Sequence, residues 1–191
     1  PVTLQLISYP IAPRNIESAR QERDSIHKVL GTSSDSALLG VGVLETGHRF
    51  YAEVAGKSGD PPSALEPVRN DLGQLVELVK AVRTRPGARN AHYCPVADIA
   101  NCLFFVDPPD GFTLDPGERR ALKSGIKGLN ARLLTLRTEQ LRGIDNIMLV
   151  AGTPKKALAI RQLLTRGELN ISTLCVDDKA ARIILQPEGK R

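Results

Sequence analysis

The chain has 191 residues, 41% of them hydrophobic, which is enough for one domain with a real core. Its 26 basic and 21 acidic side chains leave a net charge of +5, a mild excess that suits anionic ligands or nucleic acid and also many ordinary domains. No cluster of Lys and Arg is dense enough for a nucleic-acid arm, and no apolar run reaches the roughly 18 residues of a membrane helix.

In chain order, Val2–Ser8 alternates apolar and polar residues, which predicts a strand, and Tyr9-Pro10-Ile11-Ala12-Pro13 predicts a turn. The sequence starts at Pro1 already inside that strand-like run with no signal-peptide pattern, and we expect a fragment. Ile16, Ala19, Ile26, Val29 and Leu30 form the sparse apolar side of a charged helix over Ile16–Leu30. Asp35–Val43, DSALLGVGV, reads as a buried strand ending in Gly40-Val41-Gly42, where the glycines allow close backbone approach. Thr46–Pro62 is polar and glycine-rich, a surface loop. Ser63–Arg83 carries Leu65, Leu72, Leu75, Val76, Val79 and Val82 on one helical side. Arg83–Asn90, RTRPGARN, is a basic turn, either a solvated loop or a phosphate-contacting patch.

Periodicity alone would make one helix of Gly117–Leu141, but Gly125, Gly128 and Asn130 weigh against it. The expectation is therefore a short helix over Asp115–Ser124, a strand over Arg132–Leu136 and a helical turn over Thr138–Arg142. The last stretch, Asn146 to Leu185, organises the rest. Ile147–Val150 is a strand broken by Ala151-Gly152-Thr153-Pro154, and Ala157, Ile160, Leu163 and Leu164 then recur at helical spacing. Thr153 suits the N-cap and Pro154 the first helical position, Gly167 ends the helix, and Ile171–Val176 is the next strand. Asp177-Asp178 puts negative charge at the start of a final helix. Two strands joined by a crossover helix imply a parallel sheet, whose ligands sit at the carboxyl ends of the strands. Lys156, near a helix start at that edge, suits a phosphate or carboxylate.

These pieces, in this order, resemble the effector domain of the sugar-responsive bacterial transcription regulators of the SorC/DeoR type. The matching segments are Arg23-Asp24-Ser25-Ile26-His27-Lys28-Val29-Leu30, Asp35-Ser36-Ala37-Leu38-Leu39-Gly40-Val41-Gly42, Val96-Ala97-Asp98, and Phe104-Phe105-Val106-Asp107. Ala151-Gly152-Thr153, Lys156-Ala157-Leu158-Ala159-Ile160 and Val176-Asp177-Asp178 complete the series. Thr153 stands where the family's turn has a second glycine, and Val176 where its triplet has a threonine. Alanines and Asn101 replace glycines of the segment around Asp98.

The resemblance implies an α/β, Rossmann-like, mostly parallel sheet flanked by helices, akin to phosphosugar isomerases and deaminases. It implies one effector domain over residues 1–191, lacking its first strand–loop unit and an N-terminal DNA-binding module. The implied partner is a phosphorylated sugar or similar small anionic metabolite, with DNA reached only through a module outside this chain. A cytoplasmic homo-oligomer is expected, with no membrane contact and no cofactor. The implied site residues are Asp98, accepting hydrogen bonds from sugar hydroxyls, and Lys156, with Gly40, Gly42, Gly152, Thr153 and Asp177 around them. For Asp98 and Asp177 the alternative is a helix cap, for Lys156 a surface lysine, and for the glycines a plain turn.

No catalytic residue is expected, although Gly40-Val41-Gly42 followed by Gly47-His48 resembles a deaminase segment whose histidine assists sugar-ring opening. One histidine without a carboxylate relay is thin support for acid–base chemistry. Cys94, Cys102 and Cys175 form no CxxC pair and suit a reducing cytoplasm. His92, Cys94 and Cys102 lack a second spaced pair of ligands, so ordinary packing is expected there and no metal.

Overall fold

The computed structural model describes residues 36–44, 66–133 and 136–186. The expected strand at Val2–Ser8, the helix at Ile16–Leu30, the loop at Thr46–Pro62 and His48 lie outside the described residues.

The described elements are β1 (Ser36–Val43), α1 (Glu66–Arg83), α2 (Pro86–Asn90), β2 (Val96–Ile99), β3 (Cys102–Phe105) and α3 (Pro116–Arg132). They continue with α4 (Thr138–Arg142), β4 (Asn146–Ala151), α5 (Pro154–Arg166), β5 (Ile171–Val176) and α6 (Asp178–Leu185). The strands form a single sheet in the order β3-β2-β1-β4-β5. β1, β4 and β5 pair in parallel, and the β2–β3 hairpin joins β1 antiparallel. β3 reverses direction again, so β2 alone runs against the rest. The α/β class stands, with a mixed sheet.

Register and alternation divide the sheet into two faces. One carries Leu39, Val41, Ile99, Phe104, Ile147 and Leu149, and α5 packs on it through Ala157, Ile160 and Leu163. The other carries Leu38, Gly40, Gly42, Asp98, Phe105, Met148 and Val150. α3 covers its β3 end, where Arg119 and Lys123 lie over the Phe105 ring at 5.2 and 5.1 Å. Toward β1 and β4 this face is open: Leu38, Met148 and Val150 are exposed. The strand at 36–43 is thus buried on one face only, unlike the fully buried strand expected from its apolar run.

α3 corrects the short helix expected over Asp115–Ser124. It runs to Arg132 through Gly125, Gly128 and Asn130. Leu122, Ile126 and Leu129 recur on its buried side, and Asp115 starts it with a capping box closed by Glu118. Gly125 is a contact position rather than a breaker, because a Cβ there would meet Leu75 Cδ1 of α1 at 3.1 Å. Asn130 has a tertiary task. Its Oδ1 accepts the Leu103 N–H at 2.9 Å and its Nδ2 donates to the Leu103 carbonyl at 2.7 Å, covering the outer edge of β3. Packing outweighs the loss of about 1 kcal/mol per helical glycine. The strand expected over Arg132–Leu136 is not formed at its described ends: Arg132 closes α3, Leu133 and Leu136 belong to no strand, and residues 134–135 are not described.

The layers are tied at Asp107, just past β3. Its carboxylate accepts from Arg119 of α3 and from Arg166 of α5, the latter at 2.8 Å. Gln162 of α5 accepts the Asp107 N–H at 2.6 Å and donates to the Phe105 carbonyl at 2.9 Å. Of the basic stretch 83–90, residues 84–85 make the turn and Pro86–Asn90 the short helix α2, and Arg85 pairs with Glu118.

Candidate functional site

The carboxyl ends of β1, β4 and β5 make one rim, and most of the expected site residues gather along it. Gly40 and Gly42 lie within β1 rather than beyond its end. They share a face with Asp98, which pairs with Gly42 across the ladder, and with Val150, which pairs with Gly40. Strands stand about 4.8 Å apart, so Asp98 and Val150 are separated by about 10 Å across the strands with no side chain from the two glycines between. Space above Gly40 is open: a Cβ there would find Val150 O at 3.9 Å and nothing closer. The result is a stretch of bare peptide backbone on this face, with Asp98 beside Gly42 and Val150 beside Gly40.

Asp98 sits in β2, in register opposite Leu103, and not at the start of a helix. Among the described residues it is the one buried charged side chain, 7% exposed. Burial of a carboxylate is costly unless it is hydrogen-bonded or paired, and Asp98 does have an interaction within the protein.

The β4–α5 turn closes the other side of the rim. Pro154 takes the first helical position as expected. Thr153 takes the N-cap position, but its side chain makes no cap bond and its φ is +76° with ψ at 141°. That conformation belongs almost wholly to glycine, and a β-branched residue there is strained. Its backbone N–H donates to Asp177 Oδ2. Asp177 also caps α6, its Oδ1 accepting the Ala180 N–H at 2.8 Å. The Thr153 bond, then the Ala180 bond, hold the Asp177 carboxyl below its ordinary 3.8. Gly152 makes room for this, since a Cβ would come within 3.1 Å of Asp177 Oδ2. Lys156 is half-buried in the first turn of α5, and its N–H donates to the Thr153 carbonyl at 3.1 Å. It starts the helix that covers the face opposite Asp98, so the two approach the rim from different sides of the sheet.

Sequence reasoning passed over the exposure of Val150 and Met148. The signal was their alternation with Ile147 and Leu149, which showed only once β4 had a partner on each side. A cavity of ≈ 70 Å³ lies at the far end of α5, lined by Ile99, Cys102, Phe104, Leu141, Leu163 and Leu169 and edged by Thr138, Arg166 and Glu168. It is largely apolar and remote from Gly152. His92 is exposed, Cys94 and Cys102 are buried, and no group of three possible metal ligands occurs among the described residues.

No protein-family model matches the chain, and no curated protein sequence does. Solved structures do. A transcriptional regulator from Streptococcus pneumoniae superimposes with a TM-score of 0.56 at 15% identity, over 97% of this chain and 56% of that one. A probable sor operon regulator from Shigella flexneri does so with a TM-score of 0.51 at 14% identity, over 95% and 56%. The chain has the fold of these transcription regulators. It spans about half their length. The likeness agrees with the resemblance read from the ordered motifs, and it covers the sheet and both helical layers. No described helix is long and apolar enough to cross a membrane.

Proposed function

We propose that this chain is the effector-sensing domain of a transcription regulator and that it binds a phosphorylated sugar or a similar small anionic metabolite at the rim. Asp98 carries the reading: a buried carboxylate beside the bare backbone of Gly40 and Gly42, in a fold shared with transcription regulators. An ionised carboxylate only accepts hydrogen bonds, which suits ligand hydroxyls. Peptide backbone at the two glycines suits the flat face of a small ring. Lys156 and the start of α5 suit the ligand's anionic end. Gly152, Thr153 and Asp177 shape the turn that would hold it.

Sensing would act by linkage. A ligand that binds one arrangement of the domain better shifts the population toward it, and a DNA-binding module outside this chain would read that shift through the oligomer. The reading assigns binding, not turnover. A thermal-shift panel of sugar phosphates tests it. We expect at least one to raise the melting temperature, and Asp98→Ala and Lys156→Ala each to abolish the rise. A rise that both variants retain would move the ligand elsewhere.

A further inference from the structure

The cavity at the far end of α5 has an apolar interior and a charged mouth. Ile99, Cys102 and Phe104 of the β2–β3 hairpin meet Leu163 of α5, Leu141 of α4 and Leu169, which lies between α5 and β5. All six are buried except Phe104, which packs half-buried against the core. Water needs about two to four polar partners to settle in such a space, and these side chains offer carbon and one thiol. At ≈ 70 Å³ the cavity is smaller than the roughly 150 Å³ that takes a benzene ring, so it fits a branched group of a few carbons.

Polar groups stand only at the mouth, where Thr138 is half-buried and Arg166 and Glu168 are exposed. Glu168 is neutralised within its own pair, its Oε2 accepting from Arg142 Nη2 at 2.6 Å. Asp107 is shared by Arg119 and Arg166, and two arginines against one aspartate leave that group with net positive charge. Arg166 meets Asp107 through Nη2 at 2.8 Å, and a guanidinium has donors on all of its nitrogens. A singly charged head suits this mouth. A dianionic phosphate would meet the carboxylates of Asp107 and Glu168 as well.

We propose that this cavity is a ligand site for a short branched-chain carboxylate, with the alkyl group inside against Phe104 and Leu163 and the carboxylate at the mouth on Arg166 and the Thr138 hydroxyl. Leu163 and Arg166 lie in the last turn of α5 and Lys156 in its first, so the site is separate from the rim and does not rest on the reading given to it.

The test titrates the full chain with isovalerate, isoamyl alcohol and acetate while following the methyl NMR signals of Leu141 and Leu163. Isovalerate should move both signals, the alcohol should bind about fivefold more weakly for want of the charge, and acetate should leave them unmoved. Arg166→Gln should bring isovalerate down to the affinity of the alcohol and leave the alcohol unchanged. Leu141→Phe should fill the cavity and abolish binding of both. Thr138→Leu, at the half-buried mouth, serves the same purpose should the larger ring prevent folding. An alcohol that binds the parent as tightly as the acid, or an acid indifferent to Arg166→Gln, overturns the carboxylate. Acetate that matches isovalerate, or binding that survives in a folded Leu141→Phe or Thr138→Leu protein, overturns the place. Methyl signals that answer none of the probes would make the cavity a packing gap and end the proposal.

Discussion

Asp98 and Gly42 face each other across the β1–β2 ladder, so the buried carboxylate borders a stretch of strand with no side chain. The next residue of β1 on that face is Gly40, and beyond it the face is open at Val150. A short side chain in this place would cover the bare backbone without disturbing the sheet. Gly40→Ala meets only an ordinary contact at 3.9 Å. It should keep or slightly raise stability, by about 0.5–1 kcal/mol, since glycine weakens a strand interior. Ligand-induced thermal shifts should fall in the same protein. A variant that loses stability and keeps its ligand response would place the ligand away from the β1 glycines.

Thr153 adopts a backbone conformation that glycine adopts without strain. Thr153→Gly keeps the N–H that Asp177 accepts and removes the strained β-branched side chain. Stability should rise by about 1 kcal/mol, measured as the urea midpoint. A lower midpoint would show that the threonine side chain makes a compensating contact.

Asp177 sets a pH dependence of known sign. Its carboxyl is held below 3.8 by the Thr153 and Ala180 amides, so its folded value is depressed. The contribution of these bonds is fully present above the unfolded value and is lost as pH falls through the folded one. Exchange at the Thr153 and Ala180 amides, corrected for its intrinsic pH dependence, should be level from neutral pH to about pH 4 and rise below it. In Asp177→Asn that acid step should be missing. A step of equal size in both proteins would assign it to another carboxylate.

Asn130 carries a structural load. Asn130→Ala leaves the Leu103 N–H and carbonyl without the side-chain amide that pairs both. The cost should be about 2–6 kcal/mol in urea unfolding, on the order of 1–3 kcal/mol for each group left unpaired. Asn130→Asp should recover part of it, since one oxygen can still accept from Leu103. Tyr93→Phe should cost less, about 1 kcal/mol. There the hydroxyl donates to the Val106 carbonyl at 2.7 Å from a buried site, and burial pushes the phenol well above its ordinary value of 10.0.

Cys94 and Cys102 are buried and Cys175 is exposed near the end of β5. A thiol reagent added to the folded protein should label one cysteine quickly, at position 175, and the other two only on unfolding. Fast labelling of Cys102 would show that the apolar cavity at the end of α5 opens to solvent.

Local chemistry made the last third of this chain readable in advance. Ile147–Val150 followed by Gly152 and Pro154, then Gly167 after a helical repeat, specify strand, turn and helix through backbone sterics and capping, which act within a few residues. Periodicity likewise placed α1 from Leu72 to Val82. What needed tertiary structure was whatever depends on a distant partner. Gly125 looks like a helix breaker until α1 is seen packed against α3 at Leu75, and Asn130 looks like a stop until it meets Leu103. The four-residue strands β2 and β3 are too short to announce themselves, and they exist because β1 offers an edge to pair with. Which way Asp98 points was decided by register alone, since a slip of one residue would turn it to the opposite face.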